Sequence, residues 1–399
     1  MIKHLFKIIW NRKKTNFTTS LGIFISFIVL FLVMSFIVYT AQNYLAPLGF
    51  DYKDVWYVTM DWKDSSQEEV KEILIQMENS LKSFDEIKEM AYSLAFVFIP
   101  TVMSTINYEY DGKEFNTEIR KGSDGLEKVL SMNIIRGRWF NESDNAAIKH
   151  PLVINQRTKD DIFGDDIALG KILKRGETEY QIIGIIDEFK NGGLFSSTKR
   201  ISFLRISMNS DVEFKRFSSE VMGSRILLKM RPNTSVEFEE TLMNNLTSIA
   251  KNWQIKVNSM EAIKDSASLQ SLIFPIIFAV VCGFLIINVG LGLFGVIWYN
   301  TNRRKAEVGL RRALGSTVKE IHGQIIGEAV VLSTFALIFG SIFAVQFPLL
   351  GIIPIFNTGI YTIAYFISIS SIYLLTCICA MYPSKVAAGI EPAEALRDE

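Results

Sequence analysis

Three stretches of this chain carry no charged residue: Thr15 to Phe50, Ser266 to Asn302 and Ala329 to Ser384, of 36, 37 and 56 residues. A membrane-spanning helix needs about 20 mostly apolar residues, so the first two stretches hold one span each and the third has room for two. Pro348, Gly351, Pro354 and Asn357 supply the break inside the third. The expected spans are residues 17–45, residues 266–302, and two within residues 323–384. The first apolar stretch, Leu21 to Tyr39, is longer than the roughly 7–15 residues of a signal-peptide core, and no clear small-residue cleavage site follows. It reads as a retained anchor.

Between the first two spans the pattern changes to that of a folded domain, residues 46–265. Val55–Met60 is β-rich. Val70, Ile73, Leu74, Met77 and Leu81 recur at helical spacing, with Ser65 or Ser66 as N-cap. Ala91–Ile99 then reads as strand. The same order returns near the end of the segment. Ser224–Met230 is strand-like, Thr234 to Glu237 spells a capping box opening a helix to about Ala250, and Trp253–Val257 is strand-like again. Two βαβ-type units at opposite ends of a segment can pair into one α+β subdomain. The intervening residues, about 105–215, read as an inserted β-rich subdomain. They hold a hairpin signal at Asp111-Gly112, strands at Leu152–Asn155 and Tyr180–Ile186, and turn residues Asn191 to Gly193.

Charge fixes the orientation. Lys+Arg and Asp+Glu both number 42, so the whole chain offers no argument for nucleic-acid binding. The balance hides a segregation: Asp51 to Asp265 carries 29 basic and 35 acidic residues, the remainder 13 and 7. Lys3, Lys7, Arg12, Lys13 and Lys14 precede the first span, and Arg303, Arg304, Lys305, Arg311, Arg312 and Lys319 follow the second. The positive-inside rule places both clusters in the cytoplasm and the large domain outside. The tail, residues 385–399, returns to the cytoplasm. Residues 2–14 read either as an amphipathic surface helix, with Ile2, Leu5, Phe6 and Ile9 on one face, or as a plain basic flank. The fold class expected is an α-helical membrane protein with four transmembrane helices plus a large α+β extracytoplasmic domain of two subdomains, in a bacterial cytoplasmic membrane.

Catalytic chemistry is not in view. Cys282, Cys377 and Cys379 all fall in spans, and His150 is the one histidine of the outer domain. No HExxH or G-x-S-x-G occurs, and Asp160-Asp161 and Asp165-Asp166 lack the spacing of a calcium loop. No cofactor and no metal site are expected. No span carries a charge near its middle, which argues against a proton- or ion-driven cycle.

Two features of the second span and its loop stand out. Gly283, Gly290, Gly292 and Gly295 permit close helix contact, and Asn288 is expected to make an interhelical hydrogen bond. A helix from Met260 to Trp298 would be roughly 58 Å long at 1.5 Å per residue, beyond the ~30 Å hydrocarbon core. The cytoplasmic loop, residues 303–322, reads as a short helix. Glu307 and Arg311 form an i,i+4 pair, Leu310 and Leu314 an apolar stripe, and Gly315 suits a C′ position. Thr317 to Glu320 is a capping box for the next helix. Such a helix is a docking knob for a soluble partner or an interfacial spacer between spans.

The segment E-V-G-L-R-R-A-L-G-S-T at 307–317 resembles the coupling segment of FtsX-like permeases, particularly the MacB branch. Tyr382 to Arg397 resembles that family's closing motif. Gly137-Arg-Trp-Phe140, Val153-Ile-Asn155, Phe163-Gly164 and Tyr180 to Ile186 resemble the MacB-type periplasmic core. The resemblance implies a dimeric permease subunit of an ABC transporter, paired with a second copy or a paralogue and working by mechanotransmission. It implies that Glu307, Val308, Leu310, Arg311, Arg312 and Leu314 couple to the ATPase. No G-x-x-x-x-G-K-[ST] occurs and only 16 residues precede the first span, so the ATPase is expected on a separate chain. Export with a periplasmic adaptor and outer-membrane channel is the first functional reading. Lipoprotein release, or FtsX-type control of a cell-wall hydrolase, are the alternatives.

Overall fold

The computed structural model describes residues 13–62, 65–94, 98, 105–207 and 225–389. The segment expected as a surface helix before Lys13, and the closing motif beyond Gly389, lie outside the described residues. So do residues 95–97 and 99 of the expected strand Ala91–Ile99. The chain divides into two compact units, Asn43–Leu272 and the residues on either side of it.

The elements run α1 (Lys13–Leu45), β1 (Val55–Asp61), α2 (Gln67–Lys82), β2 (Ile87–Ser93), β3 (Thr105–Tyr110), β4 (Lys113–Gly122), α3 (Leu126–Val129), β5 (Ile134–Gly137), β6 (His150–Asn155), α4 (Gln156–Phe163), β7 (Ile172–Arg175), β8 (Thr178–Ile186), β9 (Ile201–Arg205), β10 (Arg225–Met230), α5 (Glu237–Ile249), β11 (Gln254–Ser259), α6 (Met260–Asn302), α7 (Lys305–Ala313), α8 (Val318–Leu350) and α9 (Thr358–Ala388).

In the unit Asn43–Leu272, β1, β2, β10 and β11 form an antiparallel array in the order β11-β1-β10-β2. Helices α2 and α5 cover one face. Val58, Met60, Ile226 and Leu228 meet Val70, Leu74, Leu242 and Leu246 there. On the other face Val55, Tyr57 and Leu227 meet Leu126, Trp139 and Phe203. Strand β10 is buried on both faces, which is why it reads Arg-Ile-Leu-Leu-Lys-Met without clean alternation. Ser66 caps α2 by accepting from Glu69 N at 3.3 Å. The capping box expected at Thr234 does not form. The Thr234 hydroxyl donates to Arg231 O in the preceding turn, and the helix starts at Glu237 instead.

Strands β3 to β9 build the second half of the unit. Asp111 and Gly112, both at positive φ, make the tight β3–β4 turn that Asp-Gly favours. The strands close on themselves in the cycle β4-β3-β7-β8-β6-β9, because β9 returns to pair with β4. Two of those pairings, β6–β8 and β4–β9, are parallel. Ile106, Tyr108, Leu152, Leu173 and Ile182 fill the interior. Asn155 seals one end. Its buried carbonyl oxygen accepts from Thr158 N, Thr158 Oγ1 and Ile201 N, and its amide donates to Lys199 O.

The other unit is built on helices long and apolar enough to cross a membrane, with the short α7 between two of them. The antiparallel pair α8 and α9 is stitched by Ser333–Thr376 at 2.9 Å, Thr334–Tyr373 at 3.0 Å and Tyr365–Ser341 at 2.8 Å. Gly351, left-handed, ends α8, and Asn357 caps α9. Phe27 and Phe31 of α1 pack on Tyr365, Tyr361 and Phe347. The apolar part of α6 is almost wholly uncovered within the single chain.

Candidate functional site

The loop between α6 and α8 folds as the sequence pattern requires. Helix α7 ends at Gly315, whose φ of +99° suits only glycine comfortably, and Gly315 N bonds back to Arg312 O. Thr317 and Glu320 then close a capping box at the start of α8, with Thr317 N donating to Glu320 Oε2 at 2.8 Å.

The six residues expected to meet a partner ATPase do not share one face. Leu310 and Leu314 are exposed, at 51% and 79%. Val308 is buried with Ile321 and Ala388 in the single chain. Glu307 and Arg311 are half-exposed, with their polar ends turned toward Arg304 and Gln324. Arg312 is half-buried, with its Nε shielded from solvent and without a hydrogen-bond partner among the described residues.

The inward groups form a closed ring of hydrogen bonds. Arg304 donates to both oxygens of Glu307, at 3.0 and 3.1 Å, and from Nη1 to Glu328 Oε2 at 2.5 Å. Arg311 donates to Glu307 Oε1 at 2.7 Å and to Gln324 Oε1 at 2.6 Å. Gln324 Nε2 reaches Glu328 Oε1 at 2.9 Å and completes the circuit. Burial alone would pull the Arg304 guanidinium down. Its hydrogen bonds to Glu307 and the Glu328 charge overcome this and hold it above the ordinary arginine range. Sequence reading missed Arg304, Gln324 and Glu328. A signal was present: Arg304, Glu307 and Arg311 are spaced i, i+3, i+7, and Gln324 and Glu328 i, i+4.

The glycines of the second span behave unequally. A Cβ on Gly290 would meet Leu375 Cδ1 at 3.3 Å and Cys379 Sγ at 3.7 Å, so this glycine packs on α9. A Cβ on Gly283, Gly292 or Gly295 would meet nothing within 4 Å among the described residues. Asn288 makes no interhelical hydrogen bond among the described residues of the single chain. Its amide donates to Phe284 O at 2.8 Å, one turn back on its own helix, where a partner is always in reach. Among the described residues no group of three or more His, Cys, Asp or Glu is placed to hold a metal ion.

Comparison with known proteins matches residues 17–242 to the family model described as MacB-like periplasmic core domain, and residues 272–392 to FtsX-like permease C-terminal. The chain belongs to the MacB/FtsX-type ABC permease family. It is 22% identical over 298 residues to the macrolide export ATP-binding/permease protein MacB of Bdellovibrio bacteriovorus, covering 73% of this chain and 45% of that one. It is 26% identical over 238 residues to the MacB of Rhodopseudomonas palustris, covering 58% of this chain and 35% of that one. The permease thus spans less than half the length of these relatives. The crystal structure of the periplasmic region of MacB from Actinobacillus actinomycetemcomitans aligns over 57% of this chain and 98% of its own, with 15% identity and a TM-score of 0.38. The permease is a multi-pass inner-membrane protein whose unit Asn43–Leu272 is a MacB-like extracytoplasmic α/β domain.

Proposed function

We propose that this chain is the permease subunit of an ABC transporter whose ATP hydrolysis resides on a separate polypeptide. The observation that carries the proposal is α7. It is a nine-residue helix between two spans, on the side where basic residues cluster, offering Leu310 and Leu314 to solvent. Two exposed leucines on a short helix are costly to leave in water and are suited to a pocket on a soluble partner.

In this reading, closure of an ATPase dimer pushes on α7, and α6 carries the movement outward. Helix α6 is 43 residues long, with Pro275 inside it, about 64 Å at 1.5 Å per residue and well beyond a bilayer core. Its uncovered apolar face, with Gly283, Gly292 and Gly295 open, fits a second permease copy or paralogue. The relatives' names speak of macrolide export. Export driven from the outer domain, with a periplasmic adaptor and an outer-membrane channel, is the corresponding function here.

Affinity purification of the full chain from its native membrane tests the central element. The expected result is stoichiometric recovery of a second polypeptide bearing a G-x-x-x-x-G-K-[ST] loop, with ATP turnover in the eluate. Recovery of the permease without such a chain, under conditions that preserve its fold, contradicts the proposal.

A further inference from the structure

We propose that Arg304 is the positioning residue that makes α7 and α8 move as one body. This rests on the reading of α7 as the docking helix and adds the element that passes its load into the membrane.

Arg304 stands just before α7 and is largely withdrawn from solvent, its side chain 12% exposed. One edge of its guanidinium grips the first turn of α7 through Glu307, and Nη1 reaches Glu328 on the third turn of α8. Arg311, two turns along α7, makes a second crossing to Gln324, one turn earlier on α8. The two crossings tie α7 to α8 at two separate points, so α7 is not held by a single bond about which it could swing. Both oxygens of Glu307 and of Glu328 are engaged, and the two arginines balance the two carboxylates. Between the ring and Val296, Ile297 and Leu332 lies a cavity of about 90 Å³, and Val308 is the buried apolar side chain that anchors α7 to α8 through Ile321.

A hydrogen-bonded ring of this kind differs from packing in one useful respect. It is directional, so it fixes the angle between two helices rather than only their distance. A push delivered at Leu310 then reaches α8 through the turn Leu314–Thr317 and through the ring together.

The test is a spin-label distance measurement on the full chain in lipid nanodiscs. Labels are placed through Ala313→Cys on α7 and Ile338→Cys on α8, with Cys282, Cys377 and Cys379 replaced. The native ring should give one narrow distance distribution. Arg304→Gln should broaden it by about two-fold or more, because a two-point attachment becomes a one-point attachment. Arg304→Lys should recover part of the narrowing, since an ammonium satisfies one carboxylate at a time. Gln324→Ala, which strands no charge, guards against misfolding of the arginine variant and should broaden the distribution in the same direction. ATPase recovery per folded permease should stay within about two-fold of native in all three, because the exposed leucines are untouched. A narrow distribution in Arg304→Gln and Gln324→Ala overturns the proposal. So does a proportional loss of ATPase recovery, which would make the ring part of the docking surface. Failure of the docking reading is seen separately, as unchanged ATPase recovery in Leu310→Asp.

Discussion

Gly340 of α8 lies so close to Phe27 of α1 that a Cβ at this position would stand 2.5 Å from the Phe27 Cδ1. The ring is fully buried and held by Tyr365 on its other side, at 6.1 Å between centroids. Gly340→Leu should therefore force α1 and α8 apart. The expected cost is about 1–3 kcal/mol, the range for overpacking a filled core. Thermal unfolding in detergent checks it, with Gly323→Leu as control, since Gly323 at the start of α8 has open space around it among the described residues. Equal loss in both variants would mean that the α1–α8 contact is not what the glycine serves.

In the extracytoplasmic domain, Asn155 is the buried polar residue whose loss should cost most. Its one carbonyl oxygen satisfies three donors from two elements. Asn155→Ala removes the partner of Thr158 N and of Lys199 O, while Ile201 N keeps Thr158 Oγ1 at 3.0 Å, and at about 1 kcal/mol for each unmet buried group the loss should reach roughly 2 kcal/mol. Urea unfolding of the isolated domain, residues 46–265, reads this from the midpoint at constant slope. A loss below about 1 kcal/mol would show that water replaces the side chain.

Asp144 supplies a pH dependence. Burial pushes its carboxyl up, but the bidentate Arg138 and the Asn141 N–H more than offset this and hold it below the usual carboxylate range. A carboxyl depressed in the folded state adds stability above its unfolded pKa, and that stability is lost as pH falls through the folded pKa. The melting temperature of the domain should fall from pH 5 toward pH 2, and Asp144→Asn should flatten part of that fall. An unchanged slope in the variant would remove Asp144 from the account.

What the sequence makes legible here is local. Each span is a run of apolar residues, the Asp111-Gly112 turn demands two left-handed residues, and Gly315 ends α7 where a left-handed residue is needed. The α+β array is also readable, because Val55–Met60, the helix of Val70 to Leu81 and their later counterparts carry their own periodicity. The closure of β4 on β9 is not readable, since a parallel pairing between residues 118–122 and 201–205 leaves no periodic trace. The Thr234 cap fails because a hydroxyl with two nearby carbonyl and amide choices took the turn rather than the helix. The ring around Arg304 draws on residues from 304 to 328, and its arginines look like ordinary positive-inside charges until the helices are folded together. The burial of Val308 against Ile321 is likewise not legible, because a family motif records which residues recur, not which way each one points.

Topology gives a further check. Ile148 is fully exposed in the outer domain, and Ala313 is exposed at the end of α7. In a cysteine-free background, Ile148→Cys should react with a membrane-impermeant maleimide added to intact spheroplasts, and Ala313→Cys should react only after lysis. The reverse pattern would invert the orientation drawn from the segregated charges.

The most direct measurement is recovery of the ATPase by Leu310→Asp, normalised to folded, membrane-inserted permease. Leu310 is exposed and touches neither the ring nor the buried Val308 cluster, so the variant should insert and fold. Withdrawing a buried leucine from an interface costs roughly 1.5–3 kcal/mol, and placing a charge there costs more. Recovery should therefore drop by about ten-fold or more, each 1.4 kcal/mol being a factor of ten. Asp165→Asn in the outer domain should leave recovery unchanged. If normalised recovery in Leu310→Asp equals that of the native chain, α7 is an interfacial spacer and the coupling account is contradicted.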